Sequence, residues 1–355
     1  MRVLLLGGTG AIGENLVNIL NEHSVETKVT TRKNRENHGT ICYVKGNAHE
    51  KEFLREVCKE RWDAVVDFMS YKTDEFESRI DLLLSCTDQY VFISSARVYA
   101  DKEHPIKESS PRLLDVCNDR EYLSTDEYAL TKARQEDIIK SHSSNKNYTI
   151  VRPYITYSDK RLQLGVLEKE EWLFRAIRGH TIIFAEEIAN RTTTMTNGRD
   201  VALGIYNLIG QHKAYGETFH LTSEHLRTWK EILQIYSSTF KSVTGKELKV
   251  KMVPLDVFIK CRNRGLEYQV IYDRVFDRDF DTSKESIYAN SGVFIEPELG
   301  LEECLTKFLV SGYQFNPISY GNEARKDRIT GESFTISTIP NIKQKIHYFI
   351  NRYIL

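Results

Sequence analysis

Val3-Leu4-Leu5-Leu6 runs without a break into Gly7-Gly8-Thr9-Gly10-Ala11-Ile12-Gly13, and this junction decides the fold. A short, wholly apolar run predicts a strand buried on both faces. Beyond the glycines, Ile12, Leu16, Val17 and Leu20 recur at helical spacing. Strand, glycine turn and helix are the start of a β-α-β unit, the building block of a parallel sheet. Gly7, Gly10 and Gly13 are spaced GxxGxxG. Glycine is needed there because the turn requires permissive dihedrals, and because a side chain would hold the backbone away from a pyrophosphate. The helix that follows points free N–H groups and the positive end of its dipole at the same place. Three glycines alone are a weak signal. Between a buried strand and a helix they read as a dinucleotide turn made of Gly7, Thr9, Gly10, Ala11, Ile12 and Gly13.

The alternation continues down the chain. Thr27–Thr31, Ile41–Val44, Ala64–Met69, Tyr90–Ser94 and Tyr148–Arg152 read as further strands, with helices between them such as Glu50–Lys59 and Glu75–Leu84. That order predicts an α/β fold with a Rossmann-like, doubly wound parallel sheet. After Pro153 the order is less regular. Arg199–Ile209 reads as a helix, and Glu217–Leu221 as a strand that rejoins the sheet. The expected division is therefore interleaved. Residues 1–153, plus about 199–221, form an NAD(P)-binding domain, and 154–198 with 222–320 form a smaller α+β substrate lobe. A C-terminal extension, 321–355, carries Ile342, Ile346, Phe349, Ile350, Tyr353 and Ile354 on one helical face, with Lys343, Lys345 and Arg352 off that stripe. A basic amphipathic helix suits a membrane surface. Packing on its own body or on a partner subunit is the expectation for this one.

Bulk properties narrow the function classes. The 355 residues include 49 Lys and Arg against 50 Asp and Glu, a net charge of −1. Such a chain has no global field to draw in nucleic acid or an anionic membrane, so any nucleotide must be held by a local site. Cys42, Cys58, Cys86, Cys117, Cys261 and Cys304 are scattered without a CxxC pair, and the ten histidines show no HxxxH or HExxH spacing. No metal site is expected from them. Scattered cysteines in a long chain predict a reducing compartment. The opening residues resemble a signal peptide only superficially, because the apolar run stops at Gly7, and no segment is apolar for the length of a membrane helix. A cytoplasmic protein without a membrane span is expected.

The carboxyl ends of parallel strands are where ligands sit in such a sheet. Phe68, Ser94 and Pro153 lie at three of those ends and are expected beside the cofactor. The second strand ends in Thr30-Thr31-Arg32-Lys33, where an NAD-selective site often carries an acid for the ribose hydroxyls. Arg32 there suits a 2′-phosphate, so the cofactor is NAD or NADP with a slight lean to NADP. Asn47, after the third strand, is placed to meet the adenine edge. The strand around Tyr90 runs into Ser94-Ser95-Ala96-Arg97-Val98-Tyr99. Further on, Tyr128-Ala129-Leu130-Thr131-Lys132 puts Tyr128 and Lys132 on one helix face. An ammonium group nearby favours the phenolate form of a tyrosine. Such a tyrosine can take or give the proton of a carbinol oxygen while hydride moves to or from a nicotinamide. Ser95 is expected to hydrogen-bond that oxygen, and Lys132 to serve both catalysis and cofactor. YxxxK by itself is a frequent accident in a chain with 19 tyrosines. It counts because it follows the glycine turn and the serine strand in that order. Arg97 suits an acidic or phosphate group of the substrate, against the plainer reading of a surface charge.

In these motifs the sequence resembles the NAD-dependent epimerase/dehydratase family of extended short-chain dehydrogenases/reductases, over roughly residues 1–310. The resemblance rests on GGTGAIG at 7–13, SSARVY at 94–99, YALTK at 128–132 and RPYITYS at 152–158, then on RTTTMTNGRDVA at 191–202, GETFHLTSEHLRTWKEI at 216–232 and DTSKESIYANSGVFIEPELGLEECL at 281–305. It implies a bound NAD(P), a nucleotide-sugar substrate, and Ser95, Tyr128 and Lys132 as the catalytic set. It also implies phosphate contacts from Arg191 and Arg274, a homodimer, and a role in making activated sugars for polysaccharide. Three departures stand out. The dehydratases' Thr-Asp-Glu is Ser95-Ala96-Arg97 here, and the nearby Ser124-Thr125-Asp126-Glu127 reads as the cap of the Tyr128 helix. Asp67-Phe68-Met69-Ser70 replaces the small residues usual in the family, and its Gly-Asp-Gly near residue 186 is absent. An epimerase or a 4-ketoreductase is expected, and both use the same residues. The other reading is a non-catalytic or regulatory protein that binds RNA or a partner, against which the intact catalytic set and the near-zero charge both weigh.

Overall fold

The computed structural model describes residues 1–262, 265–289, 292, 294–312 and 314–354. Residues 290, 291 and 293, within the Asp281–Leu305 segment of the family resemblance, lie outside the described residues. The chain groups into two compact units. The first comprises Met1–Thr156, Thr194–His225 and Asp279–Ile295, and the second Tyr157–Thr193, Leu226–Arg278 and Glu296–Leu355.

The first unit is built on seven strands: β1 (Arg2–Leu6), β2 (Glu26–Thr31), β3 (Ile41–Lys45), β4 (Trp62–Asp67), β5 (Thr87–Ile93), β6 (Tyr148–Pro153) and β7 (Glu217–Leu221). All pair in parallel, in the order β7-β6-β5-β4-β1-β2-β3. The alternation of a strand explains why these runs are apolar throughout. Val3 and Leu5 of β1 face one core with Leu16, Leu20, Val66 and Ile205. Leu4 and Leu6 face the other, with Leu54, Phe76, Phe92 and Ile139. The order reverses between β1 and β4, and the crevice outside those two carboxyl ends is where such sheets hold ligands.

The helix Gly198–Leu208 and strand β7 belong to this unit. Residues 279–295, expected in the substrate lobe, also belong to it. Their helix Ser283–Tyr288 is fixed to β7 by Lys284 Nζ, which donates to Thr218 O at 2.8 Å, and by Tyr288 against Phe219. The single helix expected over Glu75–Leu84 is two, Thr73–Glu77 and Ile80–Ser85.

In the second unit the helix Trp229–Thr244 begins with a capping box of Thr228 and Glu231 and stops at Gly245 in the left-handed region, φ +71°. Strands Ile182–Ala185 and Val250–Val253 pair in parallel. The tail is held by Arg175, sealed from water, which donates to Glu323 at 2.9 Å, Asp327 at 2.9 Å and Glu332 at 3.1 Å. His180, Asp327 and Glu332 bring possible metal-ligand atoms within 4.8 Å of one another, but the Arg175 guanidinium already sits on both carboxylates. The C-terminal helix is Ile342–Phe349, with further helical turns to Ile354. Its buried residue is Tyr348, whose hydroxyl donates to Asp327 at 2.6 Å and accepts from Phe334 N at 2.8 Å. Ile342, Ile346, Phe349, Tyr353 and Ile354 are exposed. Of the two expected packings, on the protein's own body or on a partner subunit, the first does not hold for these five residues. A polar anchor on the opposite face docks the helix.

Candidate active site

The glycine turn has a different reason at each glycine. At Gly7, φ +73°, a Cβ would lie 2.7 Å from Met69 Sδ. At Gly13 it would lie 2.6 Å from the backbone of Gly8, so only glycine lets the helix Gly13–Glu22 sit against the turn. At Gly10 a Cβ meets nothing within 4 Å. Packing inside the protein does not explain Gly10, and the space beside it is open to a ligand. The helix also starts without a side-chain cap, and although Glu14 N donates to Gly10 O at 3.0 Å, its dipole end still favours an anion. Both observations fit a phosphate-bearing group at Thr9, Gly10, Ala11 and Ile12. Arg32 is exposed past the end of β2. Asn47 is half-buried and its carbonyl accepts from His49 N at 3.2 Å. Phe68 N donates to Leu6 O at 2.9 Å, which pins Phe68 at the reversal of strand order.

Tyr128 opens the long helix Tyr128–His142. Glu127 caps it by accepting from Ala129 N at 2.7 Å, as the reading of Ser124–Glu127 anticipates. Tyr128 is 40% exposed, whereas Lys132, one turn on, is buried. Both line one cavity of about 360 Å³ together with Ser70, Tyr71, Thr131 and Asp126. Lys132 Nζ is fixed by donating to Ile93 O at 2.8 Å, and it lies 6.0 Å from the centre of the Tyr128 ring. Burial drives the Lys132 ammonium down to about 8, against the opposing pull of Asp67 and Glu136. Asp67 is itself pushed up by burial, in spite of hydrogen bonds from Tyr90 Oη (2.7 Å) and Met69 N (2.8 Å). Burial works against the charge on each of the two, and each one's charge works for the other's.

Ser95 is buried and extended. Its Oγ accepts from Arg97 N at 3.2 Å and starts the short turn Ala96–Val98, which leaves the O–H to donate. Arg97 is not the surface charge of the plainer reading. Its side chain is mostly buried, ion-paired with Glu127, and centred 5.2 Å from the Tyr128 ring. Tyr128 thus has two cations within about 6 Å of its ring centre, and the turn bearing Ser95 is packed against its helix.

Beneath this surface lies a network that the sequence reading missed. Ser94, expected beside the cofactor, donates its hydroxyl to Glu136 at 2.5 Å in the interior. Glu136 is held below the usual carboxylate range. Burial opposes this, but Arg152 and Ser94 outweigh it. Arg152 Nε donates to Glu136 at 2.8 Å, and its other arm reaches Tyr99 Oη and Glu108 O. Tyr99 Oη then lies 2.6 Å from His220 Nε2. Burial pushes His220 down, toward the neutral form that accepts from Tyr99. The network joins β5, β6, β7 and the Tyr128 helix at their functional ends. Its signal in the sequence is an arginine inside an apolar strand and a glutamate four residues after Lys132. Pro153 ends β6, buried beside it.

Arg191 and Arg274 lie in the second unit. Arg191 is exposed and pairs with Asp277 at 3.3 Å. Arg274 is buried, pairs with Asp273 and donates to Gly165 O at 3.0 Å. Its guanidinium is engaged inside the protein.

Residues 3–178, about half of the chain, match the NAD dependent epimerase/dehydratase family. The chain belongs to this family. Solved structures agree in fold. An epimerase from Methanothermobacter thermautotrophicus is 17% identical with a TM-score of 0.67, covering 88% of this chain and 95% of that one. UDP-glucuronic acid 4-epimerase from Bacillus cereus, in complex with NAD, is 14% identical with a TM-score of 0.64, covering 88% and 98%. A curated relative, the chloroplast stem-loop binding protein of 41 kDa b from Arabidopsis thaliana, is 23% identical over 244 residues, 64% of this chain. The chain spans 60% of that relative's length. Among the described residues no helix is long and apolar enough to cross a membrane.

Proposed function

We propose that this member of the family is an NAD(P)-dependent enzyme that acts at a carbinol of a nucleotide-linked sugar, as an epimerase or a 4-ketoreductase. The observation that carries the reading is an exposed Tyr128 and a buried, anchored Lys132 at one cavity, beside a turn whose Ser95 O–H is left to donate. Gly7, Thr9, Gly10, Ala11, Ile12 and Gly13 would hold the pyrophosphate, Arg32 and Asn47 the adenosine half, and Phe68, Lys132 and Pro153 the other half. Bound NAD(P) supplies hydride exchange at its nicotinamide ring. Tyr128 takes or gives the proton on the carbinol oxygen. Lys132 and Arg97 present positive charge to its ring, which favours the phenolate. Ser95 donates to the same oxygen and holds it in line. Arg191, exposed and paired only across a partly exposed bridge, is the arginine for the substrate's phosphates.

The Bacillus cereus epimerase with NAD supports the sugar-nucleotide class. A cofactor that stays bound through turnover favours epimerisation, and an exchanging NADPH favours reduction, for which the exposed Arg32 is suited. The name of the Arabidopsis relative favours a second reading, an RNA-binding protein. The Tyr128→Phe variant separates the two. The enzyme reading expects turnover to fall about 10²–10⁴-fold with cofactor binding retained. Unchanged turnover in the variant would remove Tyr128 as the acid/base, and stem-loop RNA retained at physiological salt with no turnover in the parent would favour the RNA reading.

A further inference from the structure

Cys58 and Cys86 are 28 positions apart in the chain, yet their Sγ atoms lie 3.2 Å from each other. That is only about 1.2 Å more than the length of an S–S bond. Both are free thiols, and each ends a helix: Cys58 follows Lys51–Val57 and Cys86 follows Ile80–Ser85. Their backbones are fixed, since Cys58 N donates to Leu54 O at 3.0 Å and Cys86 O accepts from Trp62 N at 2.9 Å. The contact therefore belongs to the folded framework and not to a loose loop. The two thiols are unequal. The contact with Cys58, with Arg61 nearby, pulls Cys86 below the usual thiol range although burial opposes it. The same contact and burial push Cys58 up. Cys86 thus supplies the thiolate, and Cys58, only partly buried, supplies the partner.

We propose that Cys58 and Cys86 are a reversible oxidation site, closed to an intramolecular disulfide by a peroxide. The Cys86 thiolate attacks one peroxide oxygen. The O–O bond breaks, and the departing hydroxide takes a proton to become water. The Cys58 sulfur then attacks the Cys86 sulfenic acid, losing its own proton as the S–O bond breaks and a second water leaves. Two thiols and one hydrogen peroxide give one disulfide and two waters. A small oxidant is required because Cys86 is 5% exposed. The bond would close a ring that contains β4 and its end, where Asp67 and Met69 border the glycine turn and Lys132. This site does not depend on the proposed enzymatic function.

The test uses the full chain, reduced, freed of reductant without air, and exposed to hydrogen peroxide. It is then denatured with an alkylating agent present and mapped by mass spectrometry. The expected result is a linked Cys58–Cys86 peptide about 2 Da lighter than the two thiols, regenerated by dithiothreitol. Cys58→Ser should abolish the link. Amide exchange over β4 should slow in the oxidised parent and stay unchanged in Cys58→Ser, which keeps the idea testable if the peptide is hard to recover. Alkylation of both cysteines unchanged by peroxide, oxidation of either beyond the sulfenic stage without a link, or a link to Cys42, Cys117, Cys261 or Cys304 would overturn it.

Discussion

Arg152 in the first unit and Arg175 in the second are both sealed from water among carboxylates. Arg175 gathers Glu323, Asp327 and Glu332, all from the last forty residues, and its product is a docked tail. Arg152 gathers a single carboxylate, Glu136, and spends its other arm on Tyr99. Glu136 in turn sits one helical turn past Lys132 and holds Ser94, next to Ser95. The same device, a buried guanidinium with hydrogen-bonded acids, anchors structure in one place and, under the proposed function, sets the geometry of a reacting group in the other. What distinguishes the two is the company each acid keeps, not its burial or its charge.

The largest expected effects break both knots. Arg175→Ala and Glu136→Ala each leave a buried charge without its partner, which costs about 3–5 kcal/mol. Chemical denaturation should show a similar loss for both. The comparison predicts that turnover per folded molecule stays near the parent's in Arg175→Ala and falls at least tenfold in Glu136→Ala. Equal turnover in the two variants would remove the distinction. Lys132 offers a sharper version. Its folded-state value of about 8 lies below the ordinary lysine range, so the unfolded chain holds the extra proton between pH 8 and about 10.5. The burial penalty, roughly 3 kcal/mol, is present at neutral pH and fades as pH rises through that window. The stability of the parent should therefore rise relative to Lys132→Met between pH 8 and 10, while turnover of the parent falls above pH 8 as Tyr128 loses its cation. A stability difference that is flat in pH would contradict the assignment.

Smaller effects separate the glycines. Gly13→Ala forces a Cβ onto the Gly8 backbone and should cost more than about 1 kcal/mol. Gly10→Ala meets open space, so its stability should stay within about 0.5 kcal/mol while NAD(P) affinity falls. Affinity equal to the parent's would place the phosphates elsewhere.

Much of this fold is written locally. Val3–Leu6 can only be a strand buried on both faces, and the glycines after it fix the turn, so the seven parallel strands follow from runs and punctuation. Tyr128 and Lys132 are legible because a helix brings fourth neighbours together. The division of the chain is less so, because Lys284 reaches Thr218 across 66 positions and nothing local announces it. The partner of the Ser94 hydroxyl is hidden for a related reason. A serine at a strand end looks like a ligand contact until its acceptor, Glu136, is known to lie beneath it. In the tail, periodicity reports amphipathicity and not which face is anchored. Tyr348, off the stripe, reaches Asp327 through its hydroxyl, and Asn351 and Arg352 add bonds to Arg325 and Glu332.

The most direct test of the central claim is to denature the purified protein and identify by mass spectrometry every small molecule it releases, then to titrate the emptied native protein with NADH and NADPH. The account predicts a nicotinamide dinucleotide, either released or taken up on addition and lost in Gly10→Ala. A protein that releases none and binds neither would contradict it.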